Sequence, residues 1–233
     1  MVQQMIQSPW GELPRRAPYV LPLDAPFVNA FNSGAEGTRA EIVTSLLPEP
    51  FFGNPLAPVV LLLLNPGIGT RDAEHHKNRK FAVALRRAIC EPGMTSHFHL
   101  LDETNGPGRT WWSRATKPLR NVLTETAVFN GLFCVEFSPY HSETFSHGHL
   151  RLPSQQYSFS LVEAAMQRGA EVVCMRGERC WNGALPGLAS YRRLHRFSNP
   201  RSSSISLANV VGFPRIVAAI ERAERRANTN AHV

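Results

Sequence analysis

One apolar run limits what this chain can fold into more than any other feature. Residues 59–64 are six consecutive aliphatic residues, and Asn65-Pro66-Gly67-Ile68-Gly69 follows directly. The run is too short for an ordinary helix. A strand with one solvent-exposed face would alternate apolar and polar residues, and this run does not, so it predicts a strand buried on both faces. Such a strand belongs in the middle of a parallel sheet that helices cover.

Three later segments complete the predicted sheet. Residues 130–139, 170–177 and 191–197 have strand character, and helical periodicity occupies residues 81–90, 155–168 and 205–226. We therefore predict an α/β fold, a three-layer α/β/α sandwich with a central, mainly parallel four-stranded sheet. Shorter helices are expected at 25–32, 35–46 and 178–188, a short edge strand at 97–101, and a break in the last helix at Gly212-Phe213-Pro214.

Length and composition predict a single domain over residues 1–233. With 43% hydrophobic residues the chain can bury one substantial core, although prolines make residues 1–50 an irregular arm without a catalytic signal. Residues 227–233 are expected to be a frayed tail. No apolar run reaches the length of a membrane span, and the first residues lack the pattern of a signal peptide, so we expect a cytoplasmic monomer.

Metal and cofactor signals are weak in this sequence. The four cysteines show no Cys-x-x-Cys pairing and are interpreted as small buried hydrophobes. His75 and His76 could bind a metal, but the sequence places no third ligand beside them, so they are expected to be solvated or to contact DNA. We predict no metal and no cofactor.

Charge and aromatic residues favour a nucleic-acid partner. The net charge is +7, and Trp111-Trp112 precedes Arg114, Lys117 and Arg120 on a predicted helix. Aromatic rings beside cations are typical of surfaces that bind nucleic acids. The alternative is that the tryptophans pack on the sheet while the cations are merely solvated.

Two single residues and one serine-rich segment are candidates for the functional site. Asn65 follows the central strand at its carboxyl end, where ligands bind in open α/β sheets, although Asn-Pro-Gly is also typical of a plain turn. Glu136 is a carboxylate inside an apolar strand, which indicates either a functional role or a buried salt bridge to arginine. Ser202, Ser203 and Ser204 are expected to open the last helix and, beside Arg201, to bind phosphate; the alternative is a helix cap.

Two Asn-Pro loops in this order resemble motifs of the uracil-DNA glycosylase superfamily. Residues 64–67 (Leu-Asn-Pro-Gly) look like the first motif of its mismatch-specific and single-strand-selective branches, and residues 198–203 look like its minor-groove motif. Residues 135–139 resemble its base-reading strand, in which other members have an asparagine where this chain has Glu136. The resemblance covers about residues 57–215 and implies that superfamily's fold.

The resemblance also implies roles for individual residues. The two asparagines would be the catalytic residues: Asn65 would position or polarise the water that attacks the sugar, and Asn199 would steady the developing charge or the flipped nucleotide. The base pocket would comprise Pro66, Gly67, Ile68, Glu136 and a stacking aromatic, for which Phe81 is the first choice before Trp111 or Trp112. The minor-groove contacts would come from Pro200, Arg201, Ser202, Ser203 and Ser204.

Glu136 directs the prediction of the substrate base. An ionised glutamate accepts from the amino group of cytosine, and a protonated one also donates to N3. The expected activity is a monofunctional DNA glycosylase for a modified cytosine, such as glucosylated hydroxymethylcytosine in phage DNA, with a role in antiviral defence. The alternatives are excision of uracil or mismatched thymine in base excision repair, and a catalytically silent nucleic-acid binder.

Overall fold

The computed structural model describes residues 7–91, 99 and 102–230. In that part of the chain, one mixed sheet has the order β1-β3-β2-β4-β5. Its strands are β1 (Phe51–Gly53), β2 (Val59–Leu63), β3 (Leu132–Glu136), β4 (Glu171–Cys174) and β5 (Leu194–Arg196). The predicted four strands are all present and run parallel, and β1 adds a fifth strand that pairs antiparallel with β3.

Helices surround this sheet. They are α1 (Ala25–Ala35), α2 (Asp72–His75), α3 (Arg79–Cys90), α4 (Pro107–Arg120), α5 (Glu125–Gly131), α6 (Gln155–Gln167), α7 (Glu178–Ala184) and α8 (Phe213–Asn230), with a 3-10 turn at Pro9–Glu12. None of them, within the described residues, is long and apolar enough to cross a lipid bilayer. The prediction of a mixed α/β fold is confirmed.

The central strand is buried on both faces, as its apolar run predicts. Val60 and Leu62 belong to a core that includes residues of α3, α6 and α7. Val59 and Leu61 point the other way, into a core with residues of α4, α5 and α8. Each such aliphatic side chain contributes about 1.5–3 kcal/mol on burial. Helices therefore cover both faces, and the polar ends of the strands are left for a site.

The proline-rich arm departs from its prediction after α1. The expected helix at 35–46 is absent, and the chain there is irregular. The Asn32 side chain bonds both the backbone N–H and the carbonyl of Ile42, while Val43 forms a β-bridge with His141. These bonds satisfy an extended backbone, which competes with the helix. The arm is thereby fixed against the loop after β3.

The last helix starts later than predicted. Residues 205–212 lie outside α8, which begins at Phe213, at the point where the Gly-Phe-Pro sequence predicts a break. Ile205 is instead buried, and its N–H bonds the carbonyl of Ala115 in α4. At the other end, α8 continues to Asn230, into the segment predicted to fray. The helix expected at 178–188 ends at Ala184 as α7, and the expected edge strand at 97–101 falls outside the described residues except for His99.

Candidate active site

A cavity of about 430 Å³ opens at the carboxyl edge of β2 and β3. This is where ligands bind in open α/β sheets, and the volume lies in the range of small-molecule sites. Its lining includes six of the residues predicted for the site, namely Asn65, Pro66, Gly67, Ile68, Phe81 and Glu136. Residues from widely separated parts of the sequence therefore meet at one place.

The amide of Asn65 is oriented by oxygens of the surrounding loops. Its Nδ2 lies 2.9 Å from the carbonyl oxygen of Pro66, and 3.3 Å and 3.0 Å from the carbonyl and hydroxyl oxygens of Ser142. Three acceptors around one nitrogen fix which end of the amide is the NH₂ group. Among the described residues, Oδ1 has no hydrogen-bond partner. Asn65 thus presents an acceptor that is free to bind a water or a ligand.

Glu136 ends β3 inside the same cavity. Its side chain is 5% exposed, and its Oε2 has no hydrogen-bond partner among the described residues. Burial and the nearby charge of Glu49 raise the pKa of this carboxyl well above its usual range, although Arg176 opposes the shift. The alternative of a close salt bridge is not realised within the described chain. The upward shift of the pKa favours the protonated form of Glu136, whose carboxyl group has both a hydrogen-bond donor and an acceptor.

Sheet register brings these two side chains close together. Glu136 pairs with Leu63 across β2 and β3, and Asn65 follows Leu63 by two residues. Strand spacing and rise put the Cα atoms of Asn65 and Glu136 about 8 Å apart. An acceptor for water and a hydrogen-bonding carboxyl thus face one ligand-sized space.

The prediction that His75 and His76 are solvated is wrong. Their side chains are 11% and 6% exposed, and His75 Nε2 lies 2.9 Å from Asp102 Oδ2. The single turn of α2 directs both rings inward, where they contact the ring of Phe81 at 4.1 Å and 5.1 Å between centroids. Both histidines line the cavity.

Glu49, in the arm expected to carry no catalytic signal, also lines the cavity. Its Oε2 accepts a 2.8 Å hydrogen bond from Nε2 of His99, and its Oε1 lies near His76 and His141. Burial alone would raise the pKa of Glu49, but the neighbouring histidines hold it well below the usual range. The sequence does contain a signal that could have indicated Glu49, because it is a carboxylate between two prolines within the otherwise apolar residues 46–52.

The aromatic residues differ in how much of each ring the cavity can reach. Phe81 is 2% exposed and forms part of the wall, in contact with His75 and His76. Trp112 also lines the cavity, but it is 4% exposed and most of its ring packs in the core that α4 shares with α5 and α8. Trp111 is only partly buried and lines the cavity. Trp111 is therefore better placed than Phe81 to stack on a ligand.

The second Asn-Pro loop lies outside this cavity. Asn199 follows β5, two strands from β2, so it shares the same edge of the sheet at a lateral distance of about 10 Å. Asn199 Oδ1 accepts from the N–H of Arg201, and Asn209 Oδ1 accepts from the N–H of Asn199. The other residues predicted to contact DNA are in the same loop, namely Pro200, Ser202, Ser203 and Ser204.

The prediction that this loop opens the last helix is wrong. Ser202, Ser203 and Ser204 are separated from the first residue of α8 by residues 205–212. The Oγ of Ser202 accepts from the N–H of Ser204 in a local turn. An anion here would therefore meet loop N–H groups and Arg201, without the dipole of a long helix.

A basic groove runs along the outer side of α4, next to the cavity. It is lined by Asn105, Arg109, Thr110, Ser113, Arg114, Lys117, Arg120 and Asn121. Arg114 and Lys117 are exposed, and neither forms an ion pair within the described residues. Because α4 also supplies Trp111 to the cavity, cations and an aromatic ring lie on adjacent sides of one helix. This arrangement suits a polyanion.

Comparisons with protein-family models, curated proteins and solved structures give no match for this chain. The fold and the site define a mixed α/β protein with a cavity of mixed polar and apolar lining at the carboxyl edge of its sheet. Its function is therefore argued from the chemistry of that cavity.

Proposed function

We propose that this chain is a DNA glycosylase with a fold related to the uracil-DNA glycosylase superfamily. The observation that carries the proposal is the pairing, in one cavity, of the free Oδ1 of Asn65 with the buried carboxyl of Glu136, whose Oε2 has no hydrogen-bond partner among the described residues and whose pKa is raised. The first can hold a water, and the second can read the edge of a base. The proposed enzyme is monofunctional, acts as a cytoplasmic monomer and leaves an abasic site.

Asn65 suits the hydrolysis of a glycosidic bond. Cleavage passes through an oxocarbenium-like state, in which the sugar is electrophilic enough to react with an oriented water. The Oδ1 of Asn65 would accept a hydrogen bond from that water and aim its oxygen at C1′, while the base leaves with the electrons of the glycosidic bond. Ser142 and the carbonyl of Pro66 hold the amide in place beforehand, so little reorganisation is needed during the reaction.

Glu136 suits recognition of a pyrimidine. A neutral carboxyl donates to N3 of cytosine and accepts from its amino group, so both polar positions of that edge are matched. The cavity is larger than a bare pyrimidine requires, and this favours a base with a bulky 5-substituent. We therefore propose a modified cytosine, such as glucosylated hydroxymethylcytosine, as substrate and antiviral defence as the role.

The same neutral carboxyl also favours a second candidate. If the other oxygen carries the proton, Glu136 accepts from N3–H of uracil or thymine and donates to O4. Excision of uracil or mismatched thymine is therefore the alternative activity. The two candidates differ in the space that they require beside C5 of the base. A modified cytosine needs room for a bulky substituent there, whereas uracil has a hydrogen and thymine a methyl group.

DNA would approach along the basic surface. The net charge of +7 and the exposed Arg114 and Lys117 suit contacts to phosphates, and Arg201 in the second Asn-Pro loop adds a further cation. The base must leave the stack to reach the cavity, and Trp111 offers it a new stacking surface. Asn199 is proposed to contact the strand near the extruded nucleotide.

The test is direct incubation with defined oligonucleotides. Single- and double-stranded DNAs that carry uracil, a G·T mismatch, hydroxymethylcytosine or glucosylated hydroxymethylcytosine are treated with the protein and then with alkali, which cleaves at abasic sites. We expect cleavage of the glucosylated substrate. Cleavage confined to uracil or mismatched thymine would select the alternative activity.

Asn65→Ala separates an enzyme from a silent binder. An enzyme should lose about 10²–10³ in turnover, the usual effect of removing a preorganised polar group, while its affinity for substrate DNA is retained. Asn29→Ala is a matched control because it makes the same substitution at an exposed asparagine of α1 that is not part of the cavity lining. Binding of DNA without abasic sites from any substrate would contradict the glycosylase and leave the silent binder.

A further inference from the structure

Three metal-binding side chains meet in the wall of the cavity. Glu49 comes from the arm, His76 from the end of α2 and His141 from the loop after β3. Their ligand atoms all lie within 4.8 Å of one another, and their side chains are 9%, 6% and 2% exposed. Glu49 and both histidines also line the cavity. Two imidazoles with one carboxylate form a donor set that catalytic zinc sites use.

The spacing leaves room for an ion between these atoms. Oε1 of Glu49 lies 3.7 Å from Nε2 of His76 and 3.8 Å from Nε2 of His141. Both distances are too long for hydrogen bonds. Ligands bound to one zinc ion at about 2.0–2.1 Å lie about 3.3–3.4 Å apart in a tetrahedral site. Small side-chain rotations are enough to close the difference.

Outer contacts direct two of the ligand atoms towards the gap. Nδ1 of His141 lies 2.8 Å from the carbonyl oxygen of Gly67 and can donate to it, and in that tautomer the lone pair is on Nε2. Oε2 of Glu49 is occupied by His99, so Oε1 is the oxygen left for an ion. Metal ligands typically have such supporting hydrogen bonds.

One polar feature needs a cation or a proton at this position. Nε2 of His141 lies 3.0 Å from the carbonyl oxygen of Leu47 and 3.8 Å from Oε1 of Glu49, so an unprotonated nitrogen there meets only oxygens. An ion bound to Nε2 of both rings and to Oε1 of Glu49 satisfies this nitrogen, and it explains why the three ligand atoms converge at separations longer than hydrogen bonds.

We propose that Glu49, His76 and His141 bind one divalent transition-metal ion, such as Zn²⁺, with its open coordination positions towards the cavity. Three protein ligands leave at least one position for water or for a substrate oxygen, as in catalytic sites. The ion would act as a Lewis acid beside the ligand that the cavity holds. The site goes beyond the proposed glycosylase and does not depend on it.

Metal content tests the proposal without any DNA. Untagged protein is stripped with a chelator and titrated with Zn²⁺ by calorimetry, and with Co²⁺ by visible absorption. We expect one ion per chain and a Co²⁺ spectrum typical of four- or five-coordinate nitrogen and oxygen ligands. Glycosylase assays on the stripped protein are separate, so failure of one proposal leaves the other unaffected.

Variants decide whether the bound ion is at this site. His76→Gln should lower Zn²⁺ affinity by more than about 100-fold, since loss of a direct ligand exceeds the effect of outer contacts. His195→Gln is the matched control: His195 is also buried and paired with a carboxylate, Glu171, but lies on β5. Glu49→Gln supplies a second test if His76→Gln does not fold, since its amide oxygen can still accept from His99.

Two results would overturn the site. The first is the absence of stoichiometric binding by the folded, stripped protein, which would mean that protonated histidines neutralise Glu49. The second is Zn²⁺ binding of equal affinity in His76→Gln, Glu49→Gln and the His195→Gln control, which would indicate adventitious binding elsewhere.

Discussion

Replacing Glu136 by glutamine should stabilise the protein at neutral pH. Glu136 is a buried acid whose Oε2 has no partner within the described chain, and burial raises its pKa well above the ordinary value of 4.5. Glutamine has nearly the same shape and is neutral at every pH. The substitution therefore removes the free-energy penalty of keeping a proton, or burying a charge, at this position.

The sign and size of the effect follow from linkage. The folded state holds this proton at pH values where the unfolded chain releases it. The stability that Glu136 contributes is therefore complete below about pH 4.5 and decreases as pH rises towards its folded pKa. Within that window the loss is about 1.4 kcal/mol per pH unit. For a chain of this size the melting temperature changes by about 3–6 °C per pH unit.

Thermal melts of wild type and Glu136→Gln from pH 5 to pH 8 test this reasoning. The advantage of the variant should be small at pH 5 and should grow with pH until Glu136 ionises in the folded wild type. Glu143→Gln is the control, since this exposed carboxylate lines the same cavity and forms a solvent-screened pair with Arg39. A difference between wild type and Glu136→Gln that stays constant across the range would refute a protonated Glu136.

Three further predictions concern positioning, DNA binding and stability. If Asn65 holds the attacking water as proposed, Ser142→Ala should lower kcat about tenfold by loosening the Asn65 amide while DNA affinity is unchanged, and single-turnover kinetics with parallel binding assays will separate the two. Neutralising Arg114 and Lys117 together should reduce the slope of log affinity against log salt by about 1.4–1.8, as measured by fluorescence anisotropy; an unchanged slope would remove α4 from the DNA interface. Gly53→Ala should destabilise the fold by about 1–3 kcal/mol in denaturant melts, because φ is +90° and a Cβ would overlap the backbone of β3, whereas Gly183→Ala, which has open space, should not destabilise it.

The strands were predictable because their physical signal is local. The apolar run at 59–64 and the shorter runs that became β3 and β4 reflect burial on both faces of the sheet, whereas β5 is a partly exposed edge strand. β1 was missed because Phe51-Phe52-Gly53 is too short to show a period, and its pairing with β3 is a long-range event. The early part of the predicted last helix failed because Ile205 is buried by contacts with α4, which local periodicity does not reveal.

The site was predictable only in part. Asn65 and Glu136 were accessible to sequence reasoning because each is a polar residue at the carboxyl end of an apolar strand. Ligands bind at that end of the strands in open α/β sheets. Glu49 and His141 were not accessible in this way, since they are more than ninety positions apart and meet through long-range contacts between the arm and the loop after β3, including the β-bridge and the bond from the N–H of Glu49 to Pro139. The inward orientation of His75 and His76 also depends on long-range contacts, with Asp102 and Glu49 respectively.

The sheet ends on both sides in a strand of only three residues. β1 is preceded by Pro50, which has no N–H to offer, and β5 carries the exposed Arg196. An edge strand that is short, that follows a proline or that carries a charge offers few unpaired backbone groups to a strand of another molecule. Such edges therefore disfavour polymerisation through strand addition. We expect concentrated samples to form no fibrils while β1 stays paired with β3 and β5 stays paired with β4.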